Sequence, residues 1–283
     1  MNATVVAAGL TLAVAGICAA RSEGSFDRSV SVSGPVDLDI MTDSGGITVT
    51  PGSSGSVHIH AILKAEHGWF GSSDVEQHIR ELERNPPIEQ NGNQIRIGYV
   101  RDRNLLKNIS MQLEIETPRE SRVRARADSG GIRVAGIQGP ADCHTDSGGI
   151  EVSALGSDVH AAADSGGIRI RNVKGSAYAR VDSGGIEAHD VAGSIDVATD
   201  SGGIDISQSS PAPIRAKADS GSVQVRLVSD AGYDVSVRSD SGHISVPEIS
   251  VHGDMSKNHV EGKVRGGGPM VEVHAESGNV TID

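Results

Sequence analysis

The chain is expected to fold as an all-β, single-chain β-solenoid resembling a parallel β-helix. Its coils have 18 residues with two short strands each, and one short helix lies in an N-terminal excursion. Three observations carry this. The pentapeptide Asp-Ser-Gly-Gly-Ile recurs at Asp43, Asp128, Asp146, Asp164, Asp182 and Asp200, with looser copies at Asp219, Asp240 and Glu276. From Asp128 to Asp200 the spacing is 18 residues, four times running, and a fixed period of this length marks a repeat architecture. Between the copies, β-branched residues alternate with polar ones, the period of a strand.

The first segment, "MNATVVAAGLTLAVAGICAA", is uncharged and ends at Arg21. It reads as a secretory signal cleaved near Ala20 or, in competition, as a retained membrane anchor. Residues 1–20 are set apart on that ground. Residues 21–120 are expected to cap the solenoid, and residues 121–283 to form the regular coils and a C-terminal cap.

Within the cap, "SVSVSGPVDLDIMTDSGGITVTP" gives strands and one early corner, and "SGSVHIHAILKA" gives a further strand. In "SSDVEQHIRELERNPP", Ser72 or Ser73 caps a helix. Val75, Ile79 and Leu82 fall at helical spacing, and Pro86 and Pro87 stop it. Asn91-Gly92 then marks a hairpin, and "SMQLEIETP" leads into the coils.

Each regular unit supplies two apolar sets. From Asp146 these are Ile150, Val152 and Leu155, then Val159, Ala161 and Ala163. Stacked coils would lay each strand parallel to its counterpart, about 4.8 Å away. The outward residues after the first isoleucine provide a check on register. They are Arg133, Glu151, Arg169, Glu187 and Asp205, alternating in sign until the last pair, as neighbouring strands prefer. The 36-residue gap between Asp240 and Glu276 reads as an eroded copy, and "GGGPMVEVHAESGNVTID" as the closing element.

The corner itself admits three readings. In the structural one, the aspartate accepts backbone N–H groups in an Asx-turn while glycine permits positive φ. In the second the aspartates bind calcium, although one carboxylate per coil is sparse for a six- to eight-oxygen ion. In the third, Asp-Ser-Gly is a catalytic carboxylate loop, but a catalytic pair should be unique and nine copies are not. The repeated Ser44, Ser129 and Ser147 lack a recurrent histidine partner. His58 and His60 alternate on a strand in a pattern that reads as a solvated face.

Composition narrows the partners. The net charge of −12 disfavours nucleic acid and anionic membranes. Aromatic residues make up 2% of the chain, and the six of them (Phe26, Trp69, Phe70, Tyr99, Tyr178, Tyr233) are scattered in sequence, so no stacking platform for bases is expected and none of the usual kind for sugars. With the leader removed, Cys143 is the one thiol, so no internal disulfide forms; it reads as a small core residue.

The order of motifs is an early "DSGGITVTP", a helical excursion, a strand ending in proline, serial "DSGGI" coils, then "VRGGGPMVEV" and "SGNVTI". This order resembles the bacterial "putative adhesin" family with toastrack-type or head-GIN-type β-solenoid domains. The resemblance implies an exported, all-β, non-catalytic protein of the cell envelope, whether periplasmic, cell-surface or secreted. No catalytic, cofactor-binding or metal-binding residues and no cofactor are expected. The partner is an unidentified protein or glycan surface, and no membrane insertion is expected beyond the possible N-terminal anchor. Tyr178, His160 and Arg180 are candidate contacts for an adhesin-like binding or scaffold module. The alternatives are a calcium-binding solenoid and a polysaccharide-active enzyme. For the enzyme, the long excursion from Lys64 to Arg103 is the place for a groove, with Trp69 as a contact, because function sits in loops.

Overall fold

The computed structural model describes residues 23–66, 73–247, 249–256 and 258–283. The expected leader and Trp69 lie outside the described residues.

The chain crosses the molecule twice per coil. Strands ending in Asp-Ser (Arg122–Ser129, Ala141–Ser147, Val159–Ser165, Ala177–Ser183, Ile195–Ser201, Ile214–Ser220) belong to a sheet of 13 described strands. Strands that follow the corner (Ile132–Ala135, Ile150–Leu155, Ile168–Val173, Ile186–Val191, Ile204–Gln208, Val223–Arg226) belong to a sheet of 12. Pairing along both is parallel and in register: Ile150 lies between Ile132 and Ile168, and Cys143 between Ala125 and Ala161. The solenoid expected from the apolar spacing is therefore present.

The core is made of these ladders. One row runs Ile47, Ile132, Ile150, Ile168, Ile186, Ile204 and Val223, all buried. The Asp-Ser sheet contributes chiefly alanine and valine, with a few buried hydroxyls. These satisfy carbonyls at the corner: Thr145 Oγ1 donates to Gly130 O at 3.1 Å and Thr199 Oγ1 to Gly184 O at 2.9 Å, as buried polar atoms require.

The uneven apolar spacing of Ile150, Val152 and Leu155 has a local cause. Ala154, Asn172 and Asp190 occupy equivalent left-handed positions, with φ of 53°, 55° and 56°. Each adds one residue that turns the strand, so that Val152 and Leu155 both point inward. Ile204–Gln208 lacks such a residue, and the register shifts there to pair Val191 with Gln208. That strand is one residue shorter and the following turn two residues longer, which accounts for the 19-residue spacing from Asp200 to Asp219.

Two expectations are corrected. No copy has eroded between Asp240 and Glu276; the intervening residues form the antiparallel pair Ile249–Ser256 and His259–Val264. Nor does the last repeat close the stack. Met270–Ser277 pairs with Ile214–Ser220 on one side and Tyr233–Ser241 on the other, so its coil lies between two earlier ones. The corner row consequently runs Asp219, Glu276, Asp240.

At the other end, Ile109–Thr117, Ser56–Ala65 and Glu23–Ser31 extend the 12-stranded sheet, the last two antiparallel. The hairpin Ile88–Asn91 and Gln94–Ile97 turns at Gly92 (φ 60°) and extends the other sheet. Helix Ser73–Arg84 buries Val75, Ile79 and Leu82. It also covers the free edge of Glu23–Ser31. Ser25 N–H donates to Glu83 Oε1 at 3.1 Å and Arg28 to Glu83 O at 3.2 Å, while Gln90 from the hairpin donates to Ser31 O at 2.9 Å. These contacts occupy part of the edge and blunt its capacity to pair with another chain. No helix among the described residues is long and apolar enough to cross a membrane.

Candidate functional site

The corner is a backbone device. The first glycine of each Asp-Ser-Gly-Gly has positive φ (150° at Gly148, 126° at Gly166), a region closed to L side chains. Its N–H bonds across coils, Gly148 to Ser165 O at 2.9 Å, and the isoleucine N–H does the same, Ile150 to Gly167 O at 3.0 Å. The Asx-turn is therefore not what closes the corner. Asp164 and Asp182 are exposed and make no hydrogen bond or ion pair among the described residues. At three other copies a side chain two residues upstream serves the acid: Lys217 reaches Asp219 at 2.8 Å, Arg238 reaches Asp240 at 2.9 Å and His144 reaches Asp146 at 3.2 Å. The Arg238 guanidinium holds the Asp240 carboxyl below the usual carboxylate range. Among the described residues no three His, Cys, Asp or Glu side chains are grouped to hold a metal ion.

The second glycine obeys a different rule. At Gly167 φ is ordinary, and a Cβ would meet Gly185 O at 3.5 Å, normal contact. Other copies carry Ser222, His243 and Asn279 there. Six bare glycines in line (Gly46, Gly131, Gly149, Gly167, Gly185, Gly203) instead floor an open trough of about 900 Å³ that ends near Ser222 and Gln224. Six coil steps at about 4.8 Å give it a length of roughly 29 Å.

One wall of the trough is the charged ladder. Arg133 meets Glu151 at 2.8 Å and Arg169 meets Glu187 at 2.8 Å. The like-charged step from Glu187 to Asp205 is relieved because Asp205 turns to Arg226, at 2.7 Å. The Arg169 hydrogen bond holds the Glu187 carboxyl below its ordinary range, against a smaller opposing effect of burial.

The expected contacts meet on the outward face of the Asp-Ser sheet. His160 and Tyr178 stack, with ring centroids 4.5 Å apart and planes 8° from parallel. Arg180 reaches across to Asp196 Oδ1 at 2.7 Å. Beyond Tyr178 lies a dip of about 280 Å³, lined among others by Asp196, Arg215, Glu272 and Met270. None of the described residues of the Lys64–Arg103 excursion lines either hollow. His58 and His60 both face Asp27, at 3.2 and 3.5 Å. Near the N-terminal end Tyr99 donates to Asp39 at 2.8 Å, and burial raises its hydroxyl pKa above the ordinary value.

Sequence reasoning missed the trough, and the signal for it lay in the repeat itself. Only the first glycine of each pair is conformationally required, so the second is free to serve a surface. The position of Met270 and Glu272 beside Tyr178 had no such signal, because it depends on the insertion of the last coil.

Residues 37–283 match the family model described as Toastrack DUF4097. Among solved structures, a "putative cell adhesion protein" from Clostridium sporogenes ATCC 15579 is 12% identical, with a TM-score of 0.29; the alignment covers 92% of this chain and 98% of that one. A "putative adhesin" from Bacteroides fragilis NCTC 9343 is 14% identical, with a TM-score of 0.27, over 92% of this chain and 97% of that one. No curated protein matches the chain.

Proposed function

The chain belongs to the Toastrack DUF4097 family, and from that premise we propose that it is a non-catalytic, adhesin-like binding or scaffold module exported to the cell envelope. The observation that carries this reading is the trough. It is open, runs across seven coils, and is walled by carboxylates and guanidinium groups that neutralise each other. A general acid requires a carboxyl raised towards neutral pH, whereas Glu187 is held low. Paired charges on a rigid sheet suit lateral contact with an extended partner, in which the ladder supplies alternating donors and acceptors.

The test is co-sedimentation of the purified protein with isolated cell envelopes and with insoluble polysaccharides, scored in parallel for release of reducing ends. Retention without product supports the reading. Product formation that disappears on replacing acids between Lys64 and Arg103 refutes it in favour of a polysaccharide-active enzyme. Fractionation of the native host then tests export: recovery in the cytosol alone contradicts that part.

A further inference from the structure

We infer that the dip beside Tyr178 is a binding subsite for one neutral pyranose residue. This deepens the binding-module reading and rests on it. Tyr178 and Met270 are the two large hydrophobic side chains exposed among the described residues, and both line this dip. They lie far apart in sequence. The inserted last coil brings them to one surface, since Ala177–Ser183, Ile195–Ser201, Ile214–Ser220 and Met270–Ser277 are successive strands.

The tyrosine ring has two unlike faces. His160, one coil back, stacks on one at 4.5 Å. The other face turns toward Asp196, one coil forward. Asp196 is short and is drawn aside by Arg180 at 2.7 Å, while Arg215 leans the other way to Glu272 at 3.1 Å. A hollow is left between the ring and Arg215. It is floored by the backbone at Ile195 and Ile214, whose side chains point into the core, and rimmed by Met270.

The chemistry of the lining selects the ligand. A flat aromatic face backed by a second ring suits the apolar C–H face of a sugar, and the tyrosine edge can still hydrogen-bond. Around it stand carboxylates that accept and guanidinium groups that donate, the complement of vicinal hydroxyls. Both Arg215 contacts go to Glu272 Oε2, so Oε1 stays free to accept. Each acid is matched by an arginine, so the site offers no net charge to an anionic or cationic ligand. Its volume of about 280 Å³ falls just below the roughly 300 Å³ at which pockets for drug-sized ligands begin. It takes one ring, not a folded oligomer.

The experiment is saturation-transfer difference NMR on the full chain with methyl β-glucoside, methyl β-galactoside and methyl β-N-acetylglucosaminide, followed by titration of any responder. The expected result is saturation concentrated on the ring protons of one sugar face. Affinity should fall at least tenfold in Tyr178→Ala and stay within twofold in Tyr178→Phe. Tyr178 is exposed, so melting curves of both variants should overlay the parent. No transfer from any probe overturns the inference, as does a response unchanged in Tyr178→Ala. A Gly167→Glu variant separates the two proposals. Envelope binding lost in Gly167→Glu but kept in Tyr178→Ala, with no sugar response, leaves the module reading standing and removes this site.

Discussion

Replacing the two glycines of one corner separately should give opposite results. Consider Gly166→Ala and Gly167→Ala in the coil that begins at Asp164. At Gly166 φ is 126°, and an added Cβ would collide with the carbonyl of Gly148 in the adjacent coil. Holding a side chain in a glycine-only region costs about 1–3 kcal/mol. Forcing a carbon into packed backbone costs about 1–3 kcal/mol more. The sum is roughly 2–6 kcal/mol, and at about 2–4 °C per kcal/mol for a chain of this size the melting temperature should drop by roughly 4–24 °C. At Gly167 φ is ordinary and the nearest atom to a Cβ would be 3.5 Å away. The substitution there removes only the unfolded chain's extra freedom, worth about 0.4–1 kcal/mol of stability, and the melting temperature should hold or rise. Thermal and urea unfolding followed by far-ultraviolet circular dichroism would measure both. Equal losses at the two positions would refute the division of labour drawn here, and with it the reading of the trough floor. So would a Gly166→Ala protein that melts with the parent.

Asp164→Asn should not destabilise, because no backbone amide depends on that carboxylate. Asp146 and Asp182 lie one coil away on either side, and each repels it by about 1 kcal/mol in water before salt screening. The variant should melt at or above the parent, and its melting temperature should respond less to added NaCl. Ala154→Gly relieves a left-handed alanine worth about 1–2 kcal/mol but adds unfolded-chain freedom worth about 0.4–1 kcal/mol, so stability should rise by roughly 1 kcal/mol or less, read as a shift in urea midpoint. Glu187 is held low by Arg169, so its contribution is present above the unfolded carboxylate pKa and is lost as pH falls through the lower folded value. Arg169→Ala should therefore lower the urea midpoint slightly at pH 7, since exposed pairs contribute little, and the difference from the parent should vanish once the pH is low enough to protonate Glu187 in both proteins, as urea titrations across pH would show. Cys143 is buried, and burial pushes its thiol up to about 12. Ellman's reagent at pH 8 should leave it unmodified in native protein and react fully in guanidinium chloride.

Much of the fold was legible because the stack writes itself into the sequence at a fixed period. The isoleucine ladder and the alternation of Arg133, Glu151, Arg169 and Glu187 follow from one assumption about register, and the pairing bears both out. Helix Ser73–Arg84 and the Asn91-Gly92 hairpin announced themselves through local chemistry, a proline stop and a turn dipeptide. Position in the stack was less legible. Nothing local in "MVEVHAESGNVTI" says that it lies between two earlier coils, because parallel pairing is specified by shape and not by sequence distance. The role of Asp164 was misjudged for a related reason. An Asx-turn is the local option, and only the neighbouring coil reveals that its carbonyls already take the corner amides.

The late insertion of Met270–Ser277 imposes an order on assembly. Tyr233 Oη already reaches Gln208 of an earlier coil at 3.2 Å, but the backbone of Tyr233–Ser241 pairs with the parallel stack through a strand synthesised some thirty residues after it. Coils up to Asp219 can be laid down one upon another as the polypeptide emerges, like bricks set in sequence. The segment from 233 to 264 has to wait with its inner margin unfilled until the missing course slides in. Backbone pairing at that end is thus completed by Met270–Ser277, and a chain cut before it would leave Ile214–Ser220 as an open strand edge.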